Sequence, residues 1–167
     1  MERLETRRLL LRELRRTDVK SLHRLFSDPL VMRFWPPFEL GDTEQLVERN
    51  LRRYAQDGFG PWALTLKGSD DAIGDCGMVH QEIEGSSETE IGWHLLHALW
   101  GQGLATEAAH AARDYAFDRL GVKRLVAIIH PDNVASQRVA EKIGMTLLKT
   151  IQHRDRPRLL YSLEPPR

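Results

Sequence analysis

The chain has 167 residues, a length that suits one domain with a buried core. Lys and Arg together number 24, and so do Asp and Glu, so no overall positive charge is available to attract nucleic acid or an anionic membrane. Cys76 is the only cysteine, which excludes an internal disulfide and is typical of a reducing compartment. No apolar run approaches the roughly 20 residues of a membrane span, and the N-terminal leucines alternate with charges instead of forming a signal peptide. We therefore expect a soluble, cytoplasmic protein without a nucleic-acid or membrane partner.

The first half of the chain predicts a strand, two helices and an antiparallel meander. Apolar residues recur at helical spacing after Thr17 and Asp18, and Asp42 with Gln45 resembles a capping box at the start of a second helix. Between these helices, the two prolines of FWPPF interrupt the helical pattern. The predicted elements are a strand at 8–14, helices from 17 and over 43–56, and strands at 62–66, 73–81 and 89–95.

The second half of the chain alternates helices with strands. An alanine-rich segment predicts a helix that ends before Gly121, and a second helix is expected between Pro131 and Gly144. The strand between them is mostly apolar, as expected where both faces are buried. The predicted elements are a helix at 104–119, a strand at 123–130, a helix closed by Gly144, and strands at 145–151 and 158–164. The order β-α-α-β-β-β-α-β-α-β-β predicts an α/β fold with a mixed, mostly antiparallel sheet and helices on both faces, in one domain over residues 1–167.

The turn WGQGLATEA predicts an anion site. Gly101 and Gly103 permit positive φ and close approach of a ligand, and the following helix start presents free N–H groups and the positive end of its dipole. A P-loop would need a lysine after the second glycine, where this chain has Leu104. A dinucleotide fingerprint would need a third glycine and an acidic residue at the end of the next strand, where this chain has His130. From the residues alone, a loop whose glycines only tighten the chain stays an alternative.

Four motifs follow one another along the chain: LETRRLLLREL, EIGWHL, WGQGLATEA and NVASQRVAEKIGM. In this order and spacing they resemble the GNAT superfamily of acetyl-CoA-dependent N-acetyltransferases and, within it, the RimJ/RimL-like branch. The resemblance covers nearly the whole chain. It implies the GNAT fold, acetyl-CoA as co-substrate without a metal, and transfer of acetyl to a primary amine by direct attack in a ternary complex. The acceptor would be a protein N-terminal α-amine or a small-molecule amine, and relatives of this kind are often homodimers.

The resemblance implies a cofactor site made largely of backbone. The glycine turn would bind the CoA pyrophosphate through N–H groups, with Trp100 as a packing residue. The strand before it would lie along the pantetheine arm and donate one N–H to the thioester oxygen, where attack builds negative charge. Asn133 predicts a helix N-cap, and the resemblance adds a hydrogen bond to the pantetheine amides. The expected cofactor residues are Leu95, Leu96, Gly101, Gln102, Gly103, Leu104, Ala105, Thr106, Asn133 and Ser136.

Three polar residues are candidates for catalysis. A base is required because a lysine-like amine has a pKa near about 10.4 and an α-amine near about 8. Glu90 is the first candidate base, directly or through water, and His94, on the same strand face, is the second; for each, a structural role is the alternative. Many superfamily members carry a tyrosine as general acid where this chain has Ala140. Either Ser136 supplies that proton, or the CoA thiolate leaves without one, since thiol pKa values lie near about 8.5.

The acceptor side is less defined by the sequence. Phe34, Trp35 and Phe38 are expected to line the acceptor site, or else to cover the core. The arginines of the loop QHRDRPR, residues 152–158, are expected near the same opening, where they would meet an acidic substrate or solvent. Balanced charge indicates no preference for polyamines, which would require an acidic pocket. Ala140 in place of tyrosine keeps a second function open, a sensor or regulatory domain that binds CoA or acetyl-CoA without turnover.

Overall fold

One eight-stranded sheet organises the computed structural model, which describes residues 1–165. The last two residues of the predicted domain lie outside the described residues. The strand order across the sheet is β1-β2-β3-β4-β5-β6-β8-β7, and all neighbours are antiparallel except β5 and β6. The strands are β1 (Leu4–Glu5), β2 (Leu9–Glu13), β3 (Pro61–Leu66), β4 (Gly74–Ile83), β5 (Ser86–Leu95), β6 (Leu125–Ile129), β7 (Thr146–His153) and β8 (Arg156–Leu163). The helices are α1 (Val19–Phe26), α2 (Leu40–Gln56), α3 (Leu104–Asp118) and α4 (Val134–Lys142), with short 3₁₀ turns at Arg16–Asp18 and His97–Leu99.

The predicted order of elements is confirmed, with differences at the start of the chain and of α2. The sequence does not predict β1, because two residues carry no periodic signal. Helix α2 begins at Leu40, three residues before its predicted start. Asp42 does not cap this helix with Gln45; it accepts a hydrogen bond of 2.9 Å from the Glu39 N–H and closes a box in which Glu39 is the N-cap.

Helices cover both faces of the sheet, as predicted. Helices α3 and α4 pack on one face through a core that includes Trp62 and Ile91. Helices α1 and α2 pack on the other face through a core that includes Leu22 and Ala63. The neighbouring residues Trp62 and Ala63 are both 0% exposed because they point to opposite faces and each face carries a helical layer. Strand β6 is likewise buried along its length, which confirms the interpretation of its apolar sequence.

The sheet opens between β5 and β6. Within the described chain, these parallel strands pair at only two positions, Thr89 with Leu125 and Glu90 with Val126. Beyond that point β5 stays paired with β4 as far as Leu95, whereas β6 stays paired with β8. The two strands therefore diverge, and each presents an unpaired backbone edge to the gap between them.

A buried ion pair joins the end of β2 to the start of α1. Arg12 donates from Nη1 and Nη2 to the two carboxylate oxygens of Asp18, both at 2.8 Å, and the side chains are 7% and 6% exposed. Asp18 also accepts a hydrogen bond of 2.7 Å from the Arg15 N–H. The pair fixes the chain where it leaves the sheet for the first helical layer.

Asp18→Asn should destabilise the fold, because it leaves the Arg12 guanidinium buried without its carboxylate. We expect the free energy of unfolding to fall by about 3 kcal/mol, measured by urea denaturation. Asp70→Asn is the matched control, since that carboxylate lies 3.9 Å from Arg12 but is 83% exposed. The control should leave the midpoint nearly unchanged. Equal effects of the two substitutions would contradict a dominant role for the buried pair.

Candidate functional site

The gap between β5 and β6 opens into a cleft of about 1220 Å³. Because the gap passes through the sheet, the cleft has two halves. The turn half lies on the face of α3 and α4 and is lined by the segment 99–106 without Gln102 and by the start of α4. The aromatic half lies on the face of α1 and α2 and is lined by residues 30–38, by α2 and by the turn between β7 and β8.

The glycine turn forms a helix start with free N–H groups. Gly101 and Gly103 have φ values of +76° and +77°, which side chains other than glycine rarely adopt, and Gly103 is the N-cap of α3. In the described part of the chain, the first N–H after Gly101 to donate to a backbone carbonyl is that of Glu107, which reaches the Gly103 oxygen at 3.0 Å. The N–H groups of residues 101–106 therefore lack backbone acceptors and form an anion-binding arrangement.

The N-terminal segment fixes this turn. The Glu107 carboxylate accepts hydrogen bonds from Thr6 Oγ1 at 2.6 Å, from the Arg8 N–H at 2.8 Å and from Arg8 Nε at 2.7 Å. Arg8 Nη1 also donates to the Gln102 carbonyl at 2.9 Å. Gln102 does not line the cleft. Sequence reasoning missed this contact, although its members stand in two of the motifs quoted above, LETRR and ATEA.

The end of β5 presents backbone groups to the gap. The Leu96 N–H donates to the carbonyl of Ile73, the residue just before β4, at 2.9 Å, so this N–H is already paired. Since N–H groups in an antiparallel ladder alternate in direction, the N–H groups of Leu95 and Trp93 point away from β4 and towards the gap. The Leu95 carbonyl accepts a hydrogen bond of 2.8 Å from Trp100 Nε1. Of the two predicted leucines, only Leu95 lines the cleft.

Trp100 does not pack in the core. Its side chain is 42% exposed, and its ring lies edge-on to His97 with 4.8 Å between the ring centroids. Its indole N–H instead fastens the end of β5 to the glycine turn.

Helix α4 brings Asn133 and Ser136 to the turn half. Asn133 Oδ1 accepts a hydrogen bond of 3.1 Å from the Ser136 N–H, which confirms the predicted N-cap. Ser136 lines the cleft and is half-buried. Ala140, one turn further on, is 0% exposed within the core. Ser136 is thus the hydroxyl-bearing residue of α4 that faces the cleft.

The three predicted aromatic residues all line the aromatic half and are half-buried. Phe34 stacks on His130 at 4.5 Å between ring centroids, and Phe38 stacks on Phe26 at 5.2 Å. Trp35 lies against the hairpin formed by β7 and β8. The aromatic segment therefore both lines the cleft and covers the second core.

Glu90 lies where the paired part of β5 ends and the gap begins. Burial raises the pKa of Glu90 to about 7, against the opposing effects of the Ile128 N–H and of the charges on Arg154, His94 and Arg53. A carboxylate with such a pKa can take up and release a proton near neutral pH.

His94 shares the cleft with Glu90 and is held by two contacts. His94 Nδ1 lies 2.8 Å from Asp75 Oδ1, and the imidazole is edge-on to Phe26 at 5.2 Å between ring centroids. Burial disfavours the imidazolium, but the charges of Asp75 and Glu90 outweigh it and raise the pKa of His94 above its usual value. The Asp75 contact is a second feature that sequence reasoning missed.

Two structural features are absent from residues 1–165. No group of three or more His, Cys, Asp and Glu side chains is arranged to hold a metal ion. No helix combines the length and apolar composition needed to cross a membrane.

The strands part beside a glycine turn and a helix N-terminus, with the half-buried Glu90 carboxylate at the point of divergence, and this arrangement suits an acyltransferase of the CoA-dependent type. The family comparison agrees: residues 8–146 match the family described as the acetyltransferase (GNAT) domain. The chain belongs to the GNAT family of N-acetyltransferases, which confirms the family predicted from its motifs.

Related sequences cover most of the chain. A Bacillus subtilis (strain 168) protein named YkkB is 37% identical over 161 residues, which are 95% of this chain and 94% of YkkB. The spermidine N(1)-acetyltransferase of Escherichia coli (strain K12) is 27% identical over 151 residues, 86% of this chain and 75% of that enzyme.

Solved structures share the fold. An acetyltransferase from Agrobacterium tumefaciens str. C58 superposes with a TM-score of 0.87 at 31% identity, covering 99% of this chain and 95% of that one. RimL, a ribosomal L7/L12 alpha-N-protein acetyltransferase solved with coenzyme A, has a TM-score of 0.78 at 19% identity and 98% coverage of both chains. The second likeness is one of fold alone.

Glu107→Gln should weaken the fold at neutral pH but not at acidic pH. Although burial opposes them, the hydrogen bonds from Thr6 and Arg8 hold the pKa of Glu107 below its ordinary value of 4.5. The folded pKa is lower than the unfolded one, so the stabilisation is present above that ordinary value and is lost as pH falls through the folded pKa. In thermal unfolding, the deficit of Glu107→Gln should therefore shrink between about pH 5 and about pH 3.

The exposed Glu44 gives the matched control, and Glu44→Gln should follow the parent chain at every pH. A Glu107→Gln deficit that stays constant down to the most acidic sample would contradict the role of the ionised carboxylate.

Proposed function

We propose that this chain transfers an acetyl group from acetyl-CoA to a primary amine by direct attack in a ternary complex. The observation that carries the proposal is the gap between β5 and β6. It joins a helix start with unpaired N–H groups to a half-buried carboxylate whose pKa is raised to about 7. Cofactor and acceptor would enter from opposite faces of the sheet and meet at this gap, so orientation would supply much of the rate.

The turn half suits acetyl-CoA. The N–H groups of residues 101–106 would bind the pyrophosphate, and Arg138 and Lys142, which line the same half, would add positive charge. The open edge of β5 would pair with the amides of the pantetheine arm as an added strand would. Asn133 and Ser136 would contact that arm from α4. Bound acetyl-CoA supplies the acetyl group and a thiolate leaving group.

Glu90 is the base that the geometry favours. The burial that raises its pKa to about 7 also makes it a stronger base than an exposed carboxylate, while leaving a large ionised fraction at neutral pH. It would take the proton from the acceptor amine directly or through one water. His94 is less suited, because its contact with Asp75 favours the protonated form. His94 would then act as a neighbouring group that favours the ionised form of Glu90 when it is itself protonated.

The Leu95 N–H would stabilise the charge that develops on the carbonyl oxygen. It points into the gap without a partner in β4, and the bond from Trp100 to the Leu95 carbonyl holds that peptide in place. The Ser136 hydroxyl would donate a hydrogen bond to the departing sulfur. Full protonation by Ser136 is not required, because a thiol pKa near about 8.5 makes the thiolate an adequate leaving group.

The acceptor is an amine on a protein N-terminus or on a small molecule. RimL acts on a ribosomal protein and the Escherichia coli relative is named for spermidine, so likeness of fold leaves both acceptor types open. A cytoplasmic location and a homodimer stay predictions from the sequence.

The first test of this function is a thermal-shift series followed by turnover. Acetyl-CoA or CoA at about 100 times Kd should raise the unfolding midpoint by roughly 5–10 °C, whereas ATP and NAD should not. Adding amines or peptide N-termini to the acetyl-CoA complex should then release thiol. A shift with acetyl-CoA but no thiol release with any amine would favour the sensor alternative. No shift with CoA would overturn the assignment of the turn.

Glu90→Gln should lower kcat about 10²–10⁴-fold and abolish the rise of kcat/KM centred near pH 7. Stability should move in the opposite direction. Since the folded pKa exceeds the ordinary 4.5, ionised Glu90 destabilises the fold increasingly as pH rises above 4.5 and fully above about 7. The neutral variant should therefore unfold at a higher temperature than the parent chain at about pH 8.

Glu88→Gln is the matched control, because Glu88 lies on the same strand, is paired with Arg124 and does not line the cleft. It should keep its activity and show no gain in stability at alkaline pH. Unchanged kcat in Glu90→Gln would remove Glu90 from the mechanism.

A further inference from the structure

The aromatic half of the cleft is rich in arginine without matching carboxylates. Within residues 1–165, none of the four arginines that line this half forms an ion pair. They come from the aromatic segment, from α2 and from the turn between β7 and β8. They are Arg33, Arg49, Arg53 and Arg154.

Two of these arginines act on Glu90 from separate elements, Arg53 from α2 and Arg154 from the turn between β7 and β8. The charges of Arg154 and Arg53 both reach Glu90, where each lowers the pKa of the carboxylate. Arg53 is oriented by a hydrogen bond of 2.7 Å from its Nη1 to Asn50 Oδ1, and Asn50 is 0% exposed. Arg49 lies one helical turn before Arg53, and burial together with the Arg49 charge lowers the pKa of Arg53. These two cations repel each other, and although the charges of Asp57 and Glu90 act on Arg53 in the opposite sense, neither arginine forms an ion pair in the described chain.

A buried arginine, Arg158, packs against the ring of Trp35. Arg158 is 2% exposed, its Nη1 donates to the Pro157 carbonyl, and its Nε has no hydrogen-bond partner in the described chain. The guanidinium carbon of Arg158 lies 4.8 Å from the centroid of the Trp35 ring, and that of Arg154 lies 5.8 Å from it. A buried cation without a carboxylate costs free energy. Its charge adds to the positive potential at this end of the cleft.

The acidic residues of the cleft do not cancel this charge. Asp75 is engaged with His94, and Asp42 caps the start of α2. Asp132 lies 3.9 Å from His130, at the start of α4. Glu90 is the proposed base, which takes the proton from the acceptor amine.

We infer that the acceptor amine carries a carboxylate, which Arg53 and Arg154 bind from separate elements of the aromatic half so that the amine reaches Glu90. This inference rests on the proposed acetyltransfer. Guanidinium groups bind carboxylates through paired, charge-assisted hydrogen bonds, which fix orientation as well as position. A polycation would meet like charge at the same place. The carboxylate belongs to a free amino acid or to an acidic side chain near a peptide N-terminus.

The test compares acceptors that differ only in the carboxylate. Each probe pair is an L-amino acid and its decarboxylated amine, such as phenylalanine and phenethylamine, with spermidine as a polycation. A further pair distinguishes the two sources of carboxylate: a peptide with Asp at its second position and the same peptide with Asn there. The carboxylate partner should have a kcat/KM at least about tenfold higher, and raised salt should narrow the difference.

Arg154→Gln and Arg53→Gln should remove that preference by raising KM for the carboxylate partner more than KM for the decarboxylated amine, whereas any change in kcat that follows from the altered Glu90 pKa should be shared by both partners. Arg156→Gln is the matched control, because Arg156 is exposed on the same hairpin and does not line the cleft. A readout independent of turnover is the Kd of the N-acetylated amino acid for the CoA complex, measured by calorimetry. It should rise about tenfold in Arg154→Gln and stay the same in Arg156→Gln.

The two proposals fail in different ways. The carboxylate inference is overturned, while acetyltransfer stands, if phenethylamine or spermidine has a kcat/KM equal to that of the carboxylate partners. The same holds if the arginine variants keep the preference of the parent chain. If acetyl-CoA binds but no acceptor releases thiol, acetyltransfer is overturned. In that case an unchanged Kd of the N-acetylated amino acid in Arg154→Gln overturns the carboxylate inference as well.

Discussion

The rest of the site depends on the brief parallel pairing of β5 and β6. Two residue pairs hold these strands together, after which β5 follows β4 and β6 follows β8. Neither strand can recover its lost hydrogen bonds, because helical layers on both faces fix the two parts of the sheet. An open edge of this kind can pair with a ligand that offers amides in extended form, as a strand added to a sheet does. The gap between β5 and β6 therefore leaves backbone groups available to bind a ligand.

The chain must also turn sharply where it leaves β5. Two glycines with positive φ separate the 3₁₀ turn at His97–Leu99 from α3, and they place the start of that helix beside the gap. Arg8 and Glu107 hold the turn from outside, and Trp100 ties it to the last residue of β5. The free N–H groups are consequently fixed before any ligand arrives, which reduces the entropy lost on binding. In the turn half the groups available to a ligand are mostly backbone N–H groups. The Trp100 side chain instead holds the turn against the end of β5.

The sequence predicts those features of the fold and the site that depend on local chemistry. The order of elements, the glycine turn, the Asn133 cap and the shared strand face of Glu90 and His94 all follow from periodicity or from turn and capping preferences. Features set by strand register could not be predicted. The Asp75–His94 contact joins residues 19 apart, the Arg8–Glu107 contact joins residues 99 apart, and only the ladder register distinguishes the free Leu95 N–H from the paired Leu96 N–H. A period of two determines which face a side chain takes, but not which residue lies opposite.

The two halves of the cleft recognise their ligands by different means. The turn half uses backbone groups that any sequence with the same turn can present. The aromatic half uses side chains on α2, on residues 30–38 and on the β7–β8 turn, which can change without altering the sheet. One fold can therefore keep one cofactor and take different acceptors, and a relative named for spermidine is compatible with the carboxylate-bearing acceptor that we propose for this chain. On this proposal, the charges that face Glu90 would define the acceptor: Arg53 and Arg154 act on it from separate elements, and the buried Arg158 adds positive charge behind Trp35.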